Sequence, residues 1–214
     1  MDKTSLALDF LSTKAVRLNP ESPYLYASGM HGPIYCDNRL LMSYPIIRRR
    51  FTKALRELSQ KITFQVVGAT ATAGIPHGAW LAESLNLPLI YVRGASKSHG
   101  SCKRVEGAFQ SCAKVLLIED LVTTGMSSLS AVEALRLEGL KVDTVISLFQ
   151  YGLPEVQNRF SEANVELYSV LTLDELLDEA AKVGSLSNSQ ISAIKTWQKN
   201  PVQWNERFLS GMQR

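Results

Sequence analysis

Hydrophobic positions change their period several times along the chain. Ile47, Phe51, Leu55 and Leu58 recur at helical spacing after Pro45, whose fixed φ suits a first helical turn, and they predict a core helix. Phe64 to Ala69 is then a short apolar run rich in valine and reads as a strand. The small residues Gly68 to Gly74 lead from it into a second helical stretch, Ile75 to Leu85. Leu89 to Val92, Val115 to Ile118 and Val142 to Phe149 are further apolar runs of strand length, and a helix is predicted over Ser127 to Glu138, ending before Gly139. Strands and helices that alternate in this way predict the α/β class, a central parallel sheet flanked by helices.

The two ends are patterned differently. Thr172-x-x-Glu175 and Ser187-x-x-Gln190 are capping-box patterns ahead of apolar-periodic segments, so two short helices are expected to close the chain. Ser22 to Asp37 holds two prolines, two glycines and four tyrosine or histidine residues, and predicts an ordered loop-and-strand hood on the core.

Composition narrows the picture. With 214 residues, 45% of them hydrophobic, one domain over 1–214 is expected, its hood reaching from about 1 to 43. A net charge of +3, with Arg48-Arg49-Arg50 as the dense basic run, predicts no nucleic-acid surface. No stretch approaches the roughly 18 apolar residues of a membrane span, and the first residues lack the layout of a signal peptide, so a cytoplasmic location is expected. Cys36, Cys102 and Cys112 are odd in number and show no C-x-x-C spacing, which predicts thiols rather than disulfides or a zinc site.

The chemistry is concentrated in Val115-Leu116-Leu117-Ile118-Glu119-Asp120-Leu121-Val122-Thr123-Thr124-Gly125-Met126-Ser127. An apolar strand ends in two adjacent carboxylates, and hydroxyl residues and a glycine then open a helix. Backbone N–H groups at a helix start, with hydroxyls beside them, suit a phosphate, and a glycine allows close approach. Two carboxylates at that edge suit sugar hydroxyls, directly or through a metal, so the ligand implied is a sugar phosphate. Taken singly, Glu119 and Asp120 are equally consistent with a strand end, and Thr123 or Thr124 with a helix cap.

As a whole the stretch resembles the PRPP-binding motif of the type I phosphoribosyltransferases and matches that pattern at every position. Ser28 to Arg39 looks like the hood segment of the orotate-specific members, and Gly68 to His77 like their pyrophosphate-side loop in the Bacillus-type variant. Tyr91 to Gly107 looks like their mobile catalytic loop, so the resemblance spans most of residues 20 to 153. Without the family, residues 93 to 107 already interleave Arg93, Lys97, His99, Lys103 and Arg104 with glycine and serine, a composition that fits either a cationic lid or a solvated loop.

The resemblance implies a type I phosphoribosyltransferase fold and a Mg²⁺-dependent transfer of ribose 5-phosphate from PRPP to orotate, a step of pyrimidine biosynthesis. It implies PRPP binding by Arg93, Lys97, His99, Glu119, Asp120, Leu121, Val122, Thr123, Thr124, Gly125, Met126 and Ser127. Lys97, His99, Glu119 and Asp120 are the expected catalytic groups, Thr123 and Tyr35 the expected orotate contacts, and no protein ligand of the metal is assigned. It also implies a homodimer in which loop 93–107 crosses to the partner's site. The chain departs from many relatives at Ala27, where lysine or serine stands, and at His31, where a basic residue stands, and has no lysine between Arg93 and Lys97. Some relatives also have lysine at Ala73 and arginine at Gln150. Transfer to another base, or a PRPP-binding regulator of weak activity, are the alternative readings.

Overall fold

A computed structural model describes residues 1–94 and 103–212. The chain opens with α1 (Lys3–Ser12), whose N-cap Asp2 accepts a hydrogen bond from the Ser5 amide. Four short strands follow: β1 (Val16–Leu18), β2 (Tyr24–Leu25), β3 (His31–Gly32) and β4 (Ile34–Cys36). They pair as two antiparallel ribbons, β1 with β4 and β2 with β3. This is the hood that the prolines and glycines of Ser22 to Asp37 predict. A 3₁₀ turn over Asn38–Ser43 delivers the chain to α2 (Pro45–Ser59), in which Pro45 occupies the first turn. Ile47, Phe51 and Leu55 are buried along one face of α2, and Leu58 is half-buried beside them.

The remaining elements build the expected sheet. They are β5 (Val66–Thr70), α3 (Gly74–Leu85), β6 (Leu89–Val92), β7 (Val105–Glu106), β8 (Lys114–Val122), α4 (Met126–Leu137), β9 (Lys141–Gln150), α5 (Pro154–Glu162) and β10 (Glu166–Thr172). The strand expected from Phe64 begins at Val66, and the run Val115 to Ile118 belongs to a longer strand that carries both acids. Helix α5 and strand β10 were not legible as apolar runs. The strand has only Val170 and Leu171 buried, because it lies at the sheet edge with one side open to solvent. Three helices close the described chain rather than two: α6 (Leu173–Lys182), α7 (Asn188–Lys199) and α8 (Pro201–Met212). Both predicted capping boxes form, at Thr172 and Ser187. The third helix has no such box; it restarts at Pro201, with the Asn200 carboxamide accepting from the Gln203 amide at 3.0 Å.

Strand order is β10-β9-β8-β5-β6-β7, parallel throughout except for β7. From the centre the chain winds in two directions, through α3 to β6 on one side and through α4 and α5 to β9 and β10 on the other. Right-handed crossovers then place α3, which packs with α2, on the face opposite α4. The winding direction changes between β5 and β8, and a crevice opens outside the carboxyl ends of those two strands. Beneath it, Phe10 of α1 meets Phe51 at 4.9 Å and Phe149 at 5.1 Å between ring centroids, which joins the first helix to the sheet. Each fully buried aromatic of this kind contributes about 1.5–3 kcal/mol relative to exposure.

The hood is fastened from the far end of the sequence. The His31 amide donates to the Asn205 carboxamide oxygen at 2.8 Å, and the imidazole lies 5.1 Å from the Phe208 ring, which stacks in turn on Trp204. The Gln190 side chain adds a 3.0 Å hydrogen bond to Glu21.

Candidate active site

At the crevice between β5 and β8 lies a cleft of about 520 Å³. Its walls come from the turn after β5 (Ala71, Thr72, Ala73), the end of β8 (Glu119, Asp120, Leu121), the start of α4 (Thr123, Met126, Ser127) and the base of the 93–107 loop (Arg93, Arg104). The structure therefore gathers into one cavity Arg93, Glu119, Asp120, Leu121, Thr123, Met126 and Ser127, all named from the sequence. Val122 is buried below the cleft, while Thr124 and Gly125 shape the turn into α4. Lys97 and His99 lie outside the described residues, as does Cys102; the described thiols, Cys36 and Cys112, are free.

The two acids are unlike. Side chains alternate along a strand, so neighbouring residues leave it in opposite directions. Glu119 turns inward and is buried; its Oε1 accepts from the Thr70 hydroxyl at 2.5 Å and the Asp120 amide at 3.1 Å, and its Oε2 accepts from the Ser128 hydroxyl at 2.9 Å. Asp120 is half-buried and faces the hood side, where the Asn38 carboxamide donates to its backbone oxygen at 2.6 Å. Burial pushes both carboxyls above the usual carboxylate range, and the Asp120 charge beside it adds to the rise at Glu119.

The turn into α4 is built for close approach. Gly125 has φ +78°, and a Cβ there would stand 2.6 Å from Cε2 of Phe160, so the aromatic of α5 fills the space beneath the loop. The Arg159 guanidinium donates to the Thr124 carbonyl at 2.8 Å and holds the loop from the same helix. That contact occupies the Thr124 carbonyl, and a helix start of this kind offers its amides to an anion.

Two cations frame the opposite wall. The Arg93 amide donates to the Arg104 carbonyl at 2.8 Å, and its side chain pairs with Glu106 at 3.3 Å. Arg104 donates to the Arg93 carbonyl and, through Nη1, to the Ser130 carbonyl and hydroxyl at 3.2 Å, tying the loop base to α4. Tyr35 stands opposite Arg17 in the β1–β4 ribbon, with the guanidinium 4.7 Å from its ring centroid and the Tyr24 ring at 5.7 Å. Sequence reasoning did not assign Thr70, Ser128, Asn38 or Arg104 to the site. Arg104 carried a signal as one of the loop cations, and Thr70 and Asn38 lay in segments whose resemblance pointed to the site without giving them a role; Ser128 carried none, and its meaning comes from where the fold brings it.

No family model matches the chain. It is 42% identical over 203 residues to an orotate phosphoribosyltransferase of Coxiella burnetii, covering 94% of this chain and 97% of that protein. A Listeria monocytogenes orotate phosphoribosyltransferase is 41% identical over 204 residues, with the same shares covered. Among solved structures, orotate phosphoribosyltransferase from Aeropyrum pernix superposes with a TM-score of 0.75 at 30% identity, over 85% of this chain and 99% of that one. An adenine phosphoribosyltransferase shares the fold at 18% identity and a TM-score of 0.58. Identity of about 40% over 94% of the chain is more than a shared architecture, and the chain belongs to the orotate phosphoribosyltransferase family.

Proposed function

We propose that this chain transfers ribose 5-phosphate from PRPP to orotate, giving orotidine 5′-phosphate and pyrophosphate for pyrimidine biosynthesis. The observation that carries this reading is the crevice between β5 and β8, where an acidic strand end and an open helix start face one cleft in a chain that matches orotate phosphoribosyltransferases nearly end to end. The bond to pyrophosphate breaks as N1 of orotate bonds to the anomeric carbon and gives up its proton to solvent, and positive charge develops on the ribose ring in between. Electrostatic placement then supplies most of the rate.

The amides from Thr123 to Ser127 grip the 5-phosphate at the start of α4. Asp120, half-buried at the cleft, accepts from ribose hydroxyls and its charge favours a cationic ring, with Glu119 immediately behind it. Arg93 meets the pyrophosphate, joined by Lys97 and His99 as candidate proton donors to the leaving group. Thr123 and Tyr35 are the proposed orotate contacts. Mg²⁺ fits the donor set, since a carboxylate with open oxygens and the oxygens of PRPP are the hard ligands this ion takes, and Asp120 would be its protein-side oxygen donor. When bound it neutralises charge on the departing pyrophosphate. We further infer a cytoplasmic homodimer whose loop 93–107 reaches the partner's site; among the described residues no helix is long and apolar enough to cross a membrane.

The test is loss of orotate absorbance on adding PRPP and Mg²⁺ to purified protein, with hypoxanthine, adenine and uracil in parallel. Turnover of orotate alone, abolished by chelation, is expected. Preference for a different base, or PRPP binding without turnover, would overturn the reading.

A further inference from the structure

We infer that Thr70 and Ser128 are positioning residues for catalysis, acting through Glu119 to lock three walls of the cleft to one carboxylate. The inference rests on the transferase reading above and adds two residues that lie outside the thirteen-residue PRPP motif.

Thr70 is the last residue of β5, and the next three residues form the turn that lines the pyrophosphate side of the cleft. Ser128 lies in the first turn of α4, the helix whose start faces the 5-phosphate. The two hydroxyls approach Glu119 on different oxygens, Oε1 at 2.5 Å and Oε2 at 2.9 Å, and the Asp120 amide completes the set. All three side chains are buried, with residue exposures of 6% for Thr70, 0% for Ser128 and 4% for Glu119. A buried carboxylate with both oxygens occupied has little capacity left for substrate, and its partners are fixed in direction as well as distance.

Space for this contact has been left deliberately free of side chains. A Cβ on Gly74 would stand 2.6 Å from the Thr70 hydroxyl and 2.9 Å from the Ile118 carbonyl, so only glycine lets α3 start there with the hydroxyl in place. Thr70 also reaches the Ile118 carbonyl at 3.4 Å, a longer and weaker contact than the one to the carboxylate. Asp120, by contrast, receives neither the Thr70 nor the Ser128 hydroxyl; it lines the cleft, where it can meet the ribose. The acidic pair therefore divides its labour: Asp120 faces the ligand, and Glu119 sets where Asp120, the pyrophosphate-side turn and the phosphate helix stand relative to one another. Misplacement by an ångström between such walls costs orders of magnitude in rate, whereas binding, shared over many contacts, suffers less.

The experiment measures kcat, and KM for PRPP and orotate, in the full-length protein and in Thr70→Val, Thr70→Ser, Ser128→Ala and Ser128→Thr. Thermal unfolding is recorded alongside, and Glu119→Gln is made alone and combined with Thr70→Val. Hydroxyl loss is expected to lower kcat by about 10- to 100-fold while each KM moves less than about threefold. Thr70→Ser should restore most of the loss. In the Glu119→Gln background, Thr70→Val should cost little more, because both act on one carboxylate. Wild-type rates in Thr70→Val and Ser128→Ala, equal losses in Thr70→Ser and Thr70→Val, or additive costs in the double variant would each overturn the inference. If Thr70→Val does not fold, the Ser128 pair and Thr70→Ser decide the matter alone. Absence of orotate turnover in the unaltered protein would sink the transferase reading instead, so the two failures are distinct.

Discussion

His77 offers a measurable consequence of burial. It sits in the first turns of α3 with 1% exposure, its ring edge-on to Trp80 at 5.3 Å, and neither ring nitrogen finds a partner among the described residues. Burial pushes its pKa down from 6.5 to about 4. The folded pKa is depressed, so on acidification the unfolded chain takes up the proton first. The stability contribution is therefore complete above about pH 6.5 and is lost as the pH falls towards about 4. Between pH 8 and pH 5 the two-state linkage expression gives a loss of about 2 kcal/mol, and the full loss below pH 4 tends to about 3 kcal/mol. Urea unfolding followed by tryptophan fluorescence and circular dichroism, at one protein concentration across this range, would read it. Buried carboxyls such as Asp9 titrate in wild type and variant alike, so the informative quantity is the difference between wild type and His77→Leu. That difference should change by about 2 kcal/mol from pH 8 to pH 5, the variant losing less. Parallel curves, within about 0.5 kcal/mol at every pH, would mean that His77 finds a proton acceptor or water in solution and that the burial argument is wrong.

Other consequences are more local. Gly125→Ala forces a side chain into a left-handed backbone and against Phe160, and should raise KM for PRPP by about tenfold or more while costing about 1–3 kcal/mol in unfolding. Asp9 is buried with one oxygen paired to Arg50 at 2.9 Å and the other without a partner among the described residues. Arg50→Ala should therefore destabilise the protein by about 1–3 kcal/mol, towards the lower figure because the guanidinium is half exposed, and Asp9→Asn in that background should recover part of it. Lys97→Ala should cut kcat far more than PRPP affinity measured by titration; equal losses would argue against a role confined to the transition state.

The sheet was legible where burial is two-sided. Strands β5, β8 and β9 sit in the middle of the sheet, so each carries a continuous buried stretch (Val66–Thr70, Val115–Ile118 and Thr144–Phe149) that solvent-facing alternation does not dilute. Edge strand β10 mixes Glu166, Tyr168 and Ser169 with its buried residues, and its period was lost for that reason. The third closing helix was hidden by Asn200-Pro201, a pair that ends one helix and starts another with no intervening loop. At the site, Glu119 and Asp120 stood out because two charges closing an apolar strand are costly. Their different roles were not legible, since only the tertiary fold sets Thr70 and Ser128 against one acid and the hood against the other. His31, which stands where many relatives carry a basic residue, could be read as a substitute cation from sequence alone; in the fold its ring and amide are engaged by α8.

That last contact orders events in time. Residues 31 and 205 are separated by 174 positions, and closing so long a loop is favourable only once the intervening sheet has already drawn its ends together. A nascent chain can complete β5, β8 and the turn into α4 while α8 has yet to be made, so the crevice between those strands can form before α8 fastens the hood. On the proposed reading, in which Tyr35 of the hood meets orotate, a protein clipped before residue 205 is expected to keep its grip on PRPP while losing discrimination over the base joined to it.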